Sequence, residues 1–398
     1  MKGPLTGLRV LDIATIIAAP SAAALLGDYG ADVVKVELPG QGDGARAFPP
    51  LKDGKALWWK VTNRNKRFVT LDFRQPEGQA MLLRMLPHFD VLIENFRPGT
   101  LDRWGLDRDT LWAAQPSLTI LRVSGFGQTG PYKDRAGFAR IFEAMGGLTY
   151  ISGEPDGEPM HTGYPIGDSI GGLFGAVGVL AALWARSANP DAPGEEIDLS
   201  LTEAMLKLME FLPAKYKMLG EVHERSGNTS QYSAPAAVYA TKDRRWVSLS
   251  GSTNALYANN CRAIGRPDLI DDPRFCSNPL RARHADALNA IFAAWCGEHE
   301  LEHVLSAFHA AHGTIAPIYS ADQICNDPHF EARGILKEVP DEDFGSICMA
   351  DAVPRFRTNP GGVRVAASGI GRHNAEVYGD LLALDEDELT GLAAKGVI

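Results

Sequence analysis

Through the first two hundred positions, short runs of β-branched and aliphatic residues alternate with stretches of helical period. Val33-Val34-Lys35-Val36-Glu37, Phe68-Val69-Thr70-Leu71, Val91-Leu92-Ile93 and Leu118-Thr119-Ile120-Leu121-Arg122-Val123 predict strands. Between them, residues 20–29 and 76–86 repeat apolar positions at the spacing of a helix with one face in a core. Strand and helix in alternation predict the α/β class: a parallel sheet covered by helices, with right-handed crossovers. In such sheets ligands belong at the carboxyl ends of the strands.

After the strand-like residues 197–201 and an apolar helix running through Leu212, the pattern changes near Gly220. Short strands follow at 237–240 and 246–249, then helices from about 254 to 310. A chain of 398 residues exceeds the size at which one core stops growing. The sequence therefore divides into a large domain over 1–220 and a smaller α+β domain over 221–334, with two helix-like stretches in the tail at 374–384 and 387–394.

Charge narrows the partners. Asp and Glu total 49 against 39 Lys and Arg, and a net charge of -10 argues against nucleic acid, whose binding needs clustered cations. Five cysteines without a C-x-x-C spacing predict neither disulfides nor zinc and fit a reducing, cytoplasmic setting. Residues 1–7 lead directly into a strand at 8–13, so no signal peptide is expected. Residues 170–185 are apolar but carry Gly171, Gly172, Gly175 and Gly178, and read as a buried helix and not a membrane span. The histidines form no ligand spacing, so no catalytic metal is expected.

Chemistry concentrates at Tyr164-Pro165-Ile166-Gly167-Asp168-Ser169-Ile170-Gly171-Gly172, where a turn delivers Asp168 to the start of that helix. Backbone N–H groups and the helix dipole would hold such a carboxylate ionised. An ionised carboxylate can attack an activated acyl carbon, and the glycines would let a bulky thioester approach. From the local pattern alone, the plainer reading is that Asp168 merely caps the helix. The string Gly125-Phe126-Gly127-Gln128-Thr129-Gly130 resembles a dinucleotide fingerprint, but Pro131-Tyr132-Lys133-Asp134-Arg135 after it is loop chemistry. Arg46, Arg64, Lys66, Arg67, Arg74, Arg97 and Arg103 fall at strand ends and loops and could hold a phosphorylated tail. Trp58 and Trp59 read as core filling or as the wall of a substrate pocket.

Taken in order, several strings resemble the class III CoA transferases, the CaiB/BaiF type that includes formyl-CoA and carnitine CoA transferases. They are residues 4–12, 27–37 and 63–67, Glu94-Asn95-Phe96-Arg97-Pro98-Gly99, residues 125–132 and the Gly167-Asp168 turn. The resemblance implies that Asp168 is the nucleophile, with aspartyl anhydrides and an aspartyl-CoA thioester as intermediates. It implies that CoA is a substrate and not a tightly bound cofactor, and that its tail meets Arg74, Asn95, Thr100, Arg103 and Trp104. It also implies a large Rossmann-like domain completed by residues 335–398 and an interlocked homodimer, acting on an acyl-CoA and a carboxylic acid.

The acid's pocket is expected from Ile17, Phe48, Trp58, Trp59, Phe138, Arg140, Gly167 and Gly251. The chain departs from the family's pattern at Ile17, Leu38, Ala139 and the loop 250–254, which bears on acid specificity. Acyl-CoA racemases share the scaffold but need a base, usually a histidine where this chain has Phe138. A dinucleotide-dependent oxidoreductase is the more remote alternative, resting on Gly125, Gly127 and Gly130.

Overall fold

The computed structural model describes residues 3–189 and 191–398. Two compact units emerge. The first comprises residues up to Leu148, His161–Ala214 and His329–Ile398, and the second Thr149–Met160 and Lys215–Pro328.

The first unit is built on six strands: β1 (Arg9–Asp12), β2 (Asp32–Glu37), β3 (Lys66–Thr70), β4 (Val91–Glu94), β5 (Thr119–Ser124) and β6 (Glu196–Ser200). They pair in the order β3-β2-β1-β4-β5-β6, every pair parallel. This is the Rossmann order, and the α/β expectation holds. Helices cover both faces, so neighbouring strand positions are buried in opposite directions. Leu11, Val34, Val69 and Leu92 join one core with the helix Pro76–Met85, while Val10, Val33, Val91 and Leu121 join the other with helix α1 (Ala18–Asp28).

The order reverses at β1. The chain first winds outward from β1 to β3, then returns to place β4 on the other side of β1. The connections after β1 and β4 therefore diverge and leave a crevice between them, the usual ligand position in such sheets.

Helix α2 (Ala139–Met145) and the long helix α3 (Ile166–Ala188) flank that crevice. Helix α3 lies on α1 through glycines. A Cβ at Gly172 would stand 2.8 Å from Ser21 Cβ and 3.2 Å from the Ala18 carbonyl oxygen, and one at Gly175 would stand 3.2 Å from Ala22 Cβ. The expectation of a buried helix is met on this face only. Leu173, Val177, Leu180 and Trp184 repeat along the opposite face and are exposed, Trp184 by 77%. By length and composition alone α3 could cross a membrane, but its glycine face is packed inside the unit.

The apolar helix expected through Leu212 is interrupted: helix α4 (Leu201–Leu208) ends before Met209, and a new helix spans Phe211–Leu219. An antiparallel hairpin, Leu336–Asp341 with Gly345–Ala350, also lies outside the expected elements.

The last residues close the edge of the sheet. Phe68 and Thr70 donate their N–H groups to His373 Nδ1 at 2.9 Å and Asn374 Oδ1 at 2.8 Å. Tyr378 donates its hydroxyl to the Thr70 carbonyl at 2.7 Å, and Asp72 N–H meets the Val397 carbonyl at 2.8 Å.

The second unit pairs Ala236–Ala240, Trp246–Ser250 and Ile315–Pro317 as an antiparallel sheet beside helices Asn254–Ala263, Ala285–Glu298 and Leu301–Ala310. Arg281, fully buried, donates to the carbonyls of Ala234 at 2.8 Å, Phe275 at 3.1 Å and Ser252 at 3.1 Å, and to Asn254 Oδ1 at 3.0 Å. It thereby fixes the loop carrying Gly251, where an added Cβ would sit 2.8 Å from Asn260 Nδ2.

Candidate active site

A cavity of about 300 Å³ occupies the crevice at the strand-order reversal. Its lining comes from the ends of β1 (Thr15, Ile16, Ile17), β4 (Asn95, Phe96, Arg97) and β5 (Ser124, Gly125), together with Phe138 and Asp168.

The turn after β1 is held against its own preference. Ile16 has φ of 70°, a left-handed conformation that a β-branched residue adopts only under constraint. Asp43 supplies part of that constraint, accepting the Ile16 N–H at 3.0 and 3.1 Å on its two oxygens. Asn95 supplies the rest: its Oδ1 accepts the Thr15 N–H and its Nδ2 donates to the Thr15 carbonyl, both at 2.8 Å. Beneath them lie buried charges. Lys35 pairs with Asp43 at 3.2 Å and donates to the Ala14 carbonyl, and Lys66 pairs with Asp12 at 2.8 Å.

Asp168 sits on the third residue of α3 and is half-buried. Among the described residues no group donates a hydrogen bond to its carboxylate, and the expectation that backbone N–H groups hold it ionised is corrected. Burial, and then the nearby charge of Glu143, push its pKa up to about 6. The Gly167 N–H is instead taken by Glu143 Oε1 at 3.1 Å, because the preceding Pro165 supplies no side-chain cap. Glu143 rises from α2, one helical turn beyond Ala139, and its other oxygen lies 3.3 Å from His161 Nδ1.

Three cations share the cavity with Asp168: Arg97, Lys133 and Arg135. None has a carboxylate within 4.0 Å among the described residues, whereas Arg46, Arg64, Arg67, Arg74 and Arg122 are all paired. Arg135 instead lies over the Tyr132 ring at 3.6 Å. The site of a net acidic protein is thus locally positive.

The other expected residues distribute as follows. Ile17 and Phe138 line the Asp168 cavity, Phe138 being 70% exposed. Trp58 packs between Phe48 and Tyr164, with both ring separations at 6.1 Å. Trp59 is core, buried against Phe68 and under Arg46, and borders a different cavity. Arg74 and Trp104 line a neighbouring cavity of about 510 Å³ that shares Thr15, Ile16 and Phe96 with the first. There Trp104, Phe73 and Phe96 pack edge to face at 5.3 to 5.9 Å. Arg74 is bound to Asp72 at 2.7 Å and holds that carboxyl down at about 2. Thr100 and Arg103 bond each other at 2.9 Å. Gly251 belongs to the second unit.

Phe138 presents no imidazole to the cavity, so the base a racemase needs is missing from that position. The segment after Gly130 runs as turn and loop up to α2, without the helix a bound pyrophosphate would require.

A doubly wound sheet with an unpaired acid and free cations at its switch point is a frame suited to an anionic ligand. The chain matches the model of CoA-transferase family III over residues 5–374, and it belongs to that family. It is 42% identical over 396 residues to a succinyl-CoA--D-citramalate CoA-transferase of Chloroflexus aurantiacus, covering 99% of this chain and 98% of the relative. It is 32% identical over 392 residues to a succinate--glutarate CoA-transferase of Agrobacterium fabrum, covering 96% and 97%. A crystal structure of a CaiB/BaiF family protein from Brucella suis superposes with a TM-score of 0.83 at 30% identity, covering 96% of this chain and all of that one. The chain is an enzyme of the class III CoA-transferase type.

Glu143 and His161 escaped the sequence reading. Glu143 stands amid the helix formers of α2, and no spacing rule ties it to Gly167, 24 residues on.

Proposed function

We propose that this enzyme moves coenzyme A from an acyl-CoA thioester to an acceptor carboxylate, with Asp168 as the covalent carrier. The observation that carries the reading is that, among the described residues, Asp168 is the sole carboxylate lining a cavity that also holds three unpaired cations. Its raised pKa supports the role: the group is still ionised at neutral pH but more basic than an ordinary aspartate, and so more nucleophilic.

In the first step a carboxylate oxygen of Asp168 attacks the thioester carbonyl carbon, the C–S bond breaks, and CoA leaves as thiolate. A mixed anhydride remains. The thiolate then attacks the Asp168 carbonyl carbon, releasing the donor acid and leaving an aspartyl-CoA thioester. The acceptor carboxylate attacks that thioester and expels the thiolate again. Attack by the thiolate on the acceptor's acyl carbon then forms the product and frees Asp168. Each step passes through an oxyanion, and the first turn of α1, bordering the cavity at Ile17 and Ala18, turns its positive end toward that charge.

We assign the adjoining cavity to the CoA tail, with Trp104 and Phe96 as its aromatic wall and Arg74 as the cation in its lining; Asn95 lines the Asp168 cavity beside it. Relatives named for succinyl-CoA, citramalate and glutarate support dicarboxylates as the acids, and the unpaired cations suit them. The exposed face of α3 supports a homodimer, because a stripe of Leu173, Val177, Leu180 and Trp184 is a large apolar surface for a protein in water.

The test is chemical. Incubation with succinyl-CoA and hydroxylamine is expected to inactivate the enzyme and convert Asp168 to a hydroxamate, read by peptide mass spectrometry. Trapping at another carboxylate, with the Asp168 peptide unmodified, would refute the assignment.

A further inference from the structure

Glu143 is a buried acid in an expensive place. It is 1% exposed, and its oxygens face the Gly167 N–H at 3.1 Å and His161 Nδ1 at 3.3 Å. Helix α2 presses closely on the turn it serves: a Cβ at Gly167 would stand 3.1 Å from the Ala139 carbonyl oxygen and 3.6 Å from Glu143 Cγ. A neutral glutamine would accept the Gly167 N–H equally well, and burying a charge is costly. Capping the turn therefore does not account for the negative charge.

Asp168 is the residue next to the N–H that Glu143 accepts, and burial first, then the Glu143 charge, raises its pKa. The other charged groups lining the same cavity among the described residues are Arg97, from the end of β4, and Lys133 and Arg135, from the loop before α2, and none of the three offsets the shift on Asp168. Like-charge repulsion raises the free energy of the Asp168 carboxylate but not that of its neutral anhydride or thioester. The linkage is strict: any neighbour that favours protonation of Asp168 through charge alone favours its acylation by the same factor.

We propose that Glu143 is a positioning residue that fixes the Gly167-Asp168 turn and sets a like charge beside the nucleophile, relieved each time Asp168 becomes covalently bound. This rests on Asp168 being the carrier. His161 moderates the effect by donating toward Glu143.

Two variants of the whole enzyme test it. Glu143→Gln keeps an acceptor for the Gly167 N–H and removes the charge. The acid limb of kcat/KM is expected to move down from about 6 toward ordinary carboxylates. The steady-state fraction of enzyme carrying the aspartyl-CoA thioester, measured by intact mass after an acid quench, is expected to fall about tenfold for each pH unit the limb moves. His161→Phe leaves Glu143 without that donor and is expected to move the limb the other way. Opposite movements cannot arise from general damage to the fold. An acid limb unmoved in either variant, or one that moves while adduct occupancy stays constant, overturns the inference. An adduct on another residue in the unmodified enzyme instead defeats the Asp168 reading itself.

Discussion

Replacing Asp168 with asparagine is expected to stabilise the protein while stopping the reaction. An unfolded aspartate titrates near 3.8, and the folded one near 6, because burial and Glu143 disfavour its charge. Between those values the folded chain holds a proton that the unfolded chain lacks, so stability declines as pH rises through the window and the penalty is complete above about 6. At 1.36 kcal/mol per pH unit the full penalty is about 3 kcal/mol, and water reaching the half-buried carboxylate from the cavity brings the expected gain to roughly 1–2 kcal/mol. Asparagine keeps the shape and deletes the charge. Denaturant midpoints of both proteins at pH 7.5, 6 and 4.5 supply the measurement, since the other carboxylates cancel in the difference. The advantage of Asp168→Asn should be greatest at pH 7.5 and shrink toward pH 4.5, while kcat falls by at least about 10³-fold, as when other covalent nucleophiles are removed. A variant no more stable than the parent, or an advantage that does not vary with pH, would refute the account of a strained carboxylate.

Three further outcomes are expected. The rate at low substrate should fall about tenfold per unit as pH drops below about 6, where Asp168 becomes protonated, as read from kcat/KM against pH. Exchanging Lys133 and Arg135 together for glutamine should raise KM for acyl-CoA roughly 3- to 10-fold and flatten its dependence on salt, because the unpaired cations attract anionic substrates through the solvent. An unaltered salt dependence would remove them from the site. Val177→Glu, on the exposed face of α3, should shift sedimentation toward the monomer; if the parent enzyme itself sediments as a monomer, the proposed dimer falls.

The inner strands of the large sheet were legible because they are buried on both faces, which writes a nearly continuous aliphatic run at β2, β4 and β5. The hairpin at Leu336–Asp341 was not, since Pro340 and charged residues interrupt its alternation and its partner strand supplies the order. Composition gave α3 its helix but not its orientation. Glycines form the packed face and large aliphatic residues the open one, the reverse of what hydrophobicity alone implies. Asp168 stood out beside Gly167, but its charge state depends on Glu143, which α2 brings in from elsewhere in the sequence. Trp58 and Trp59 are adjacent in sequence yet one meets Tyr164 and the other fills the core, a split that only helical phase decides.

The edge strand β3 takes its outer hydrogen bonds from His373 and Asn374, about 300 positions later in the chain. A ribosome must therefore finish the whole second unit before the sheet of the first can be sealed. Until then β3 stays open to neighbours, a template for wrong pairing during synthesis. Nascent chains of this enzyme should depend on chaperones most in the interval between the emergence of β3 and that of residue 374, and contacts over such distances make its final folding step slow.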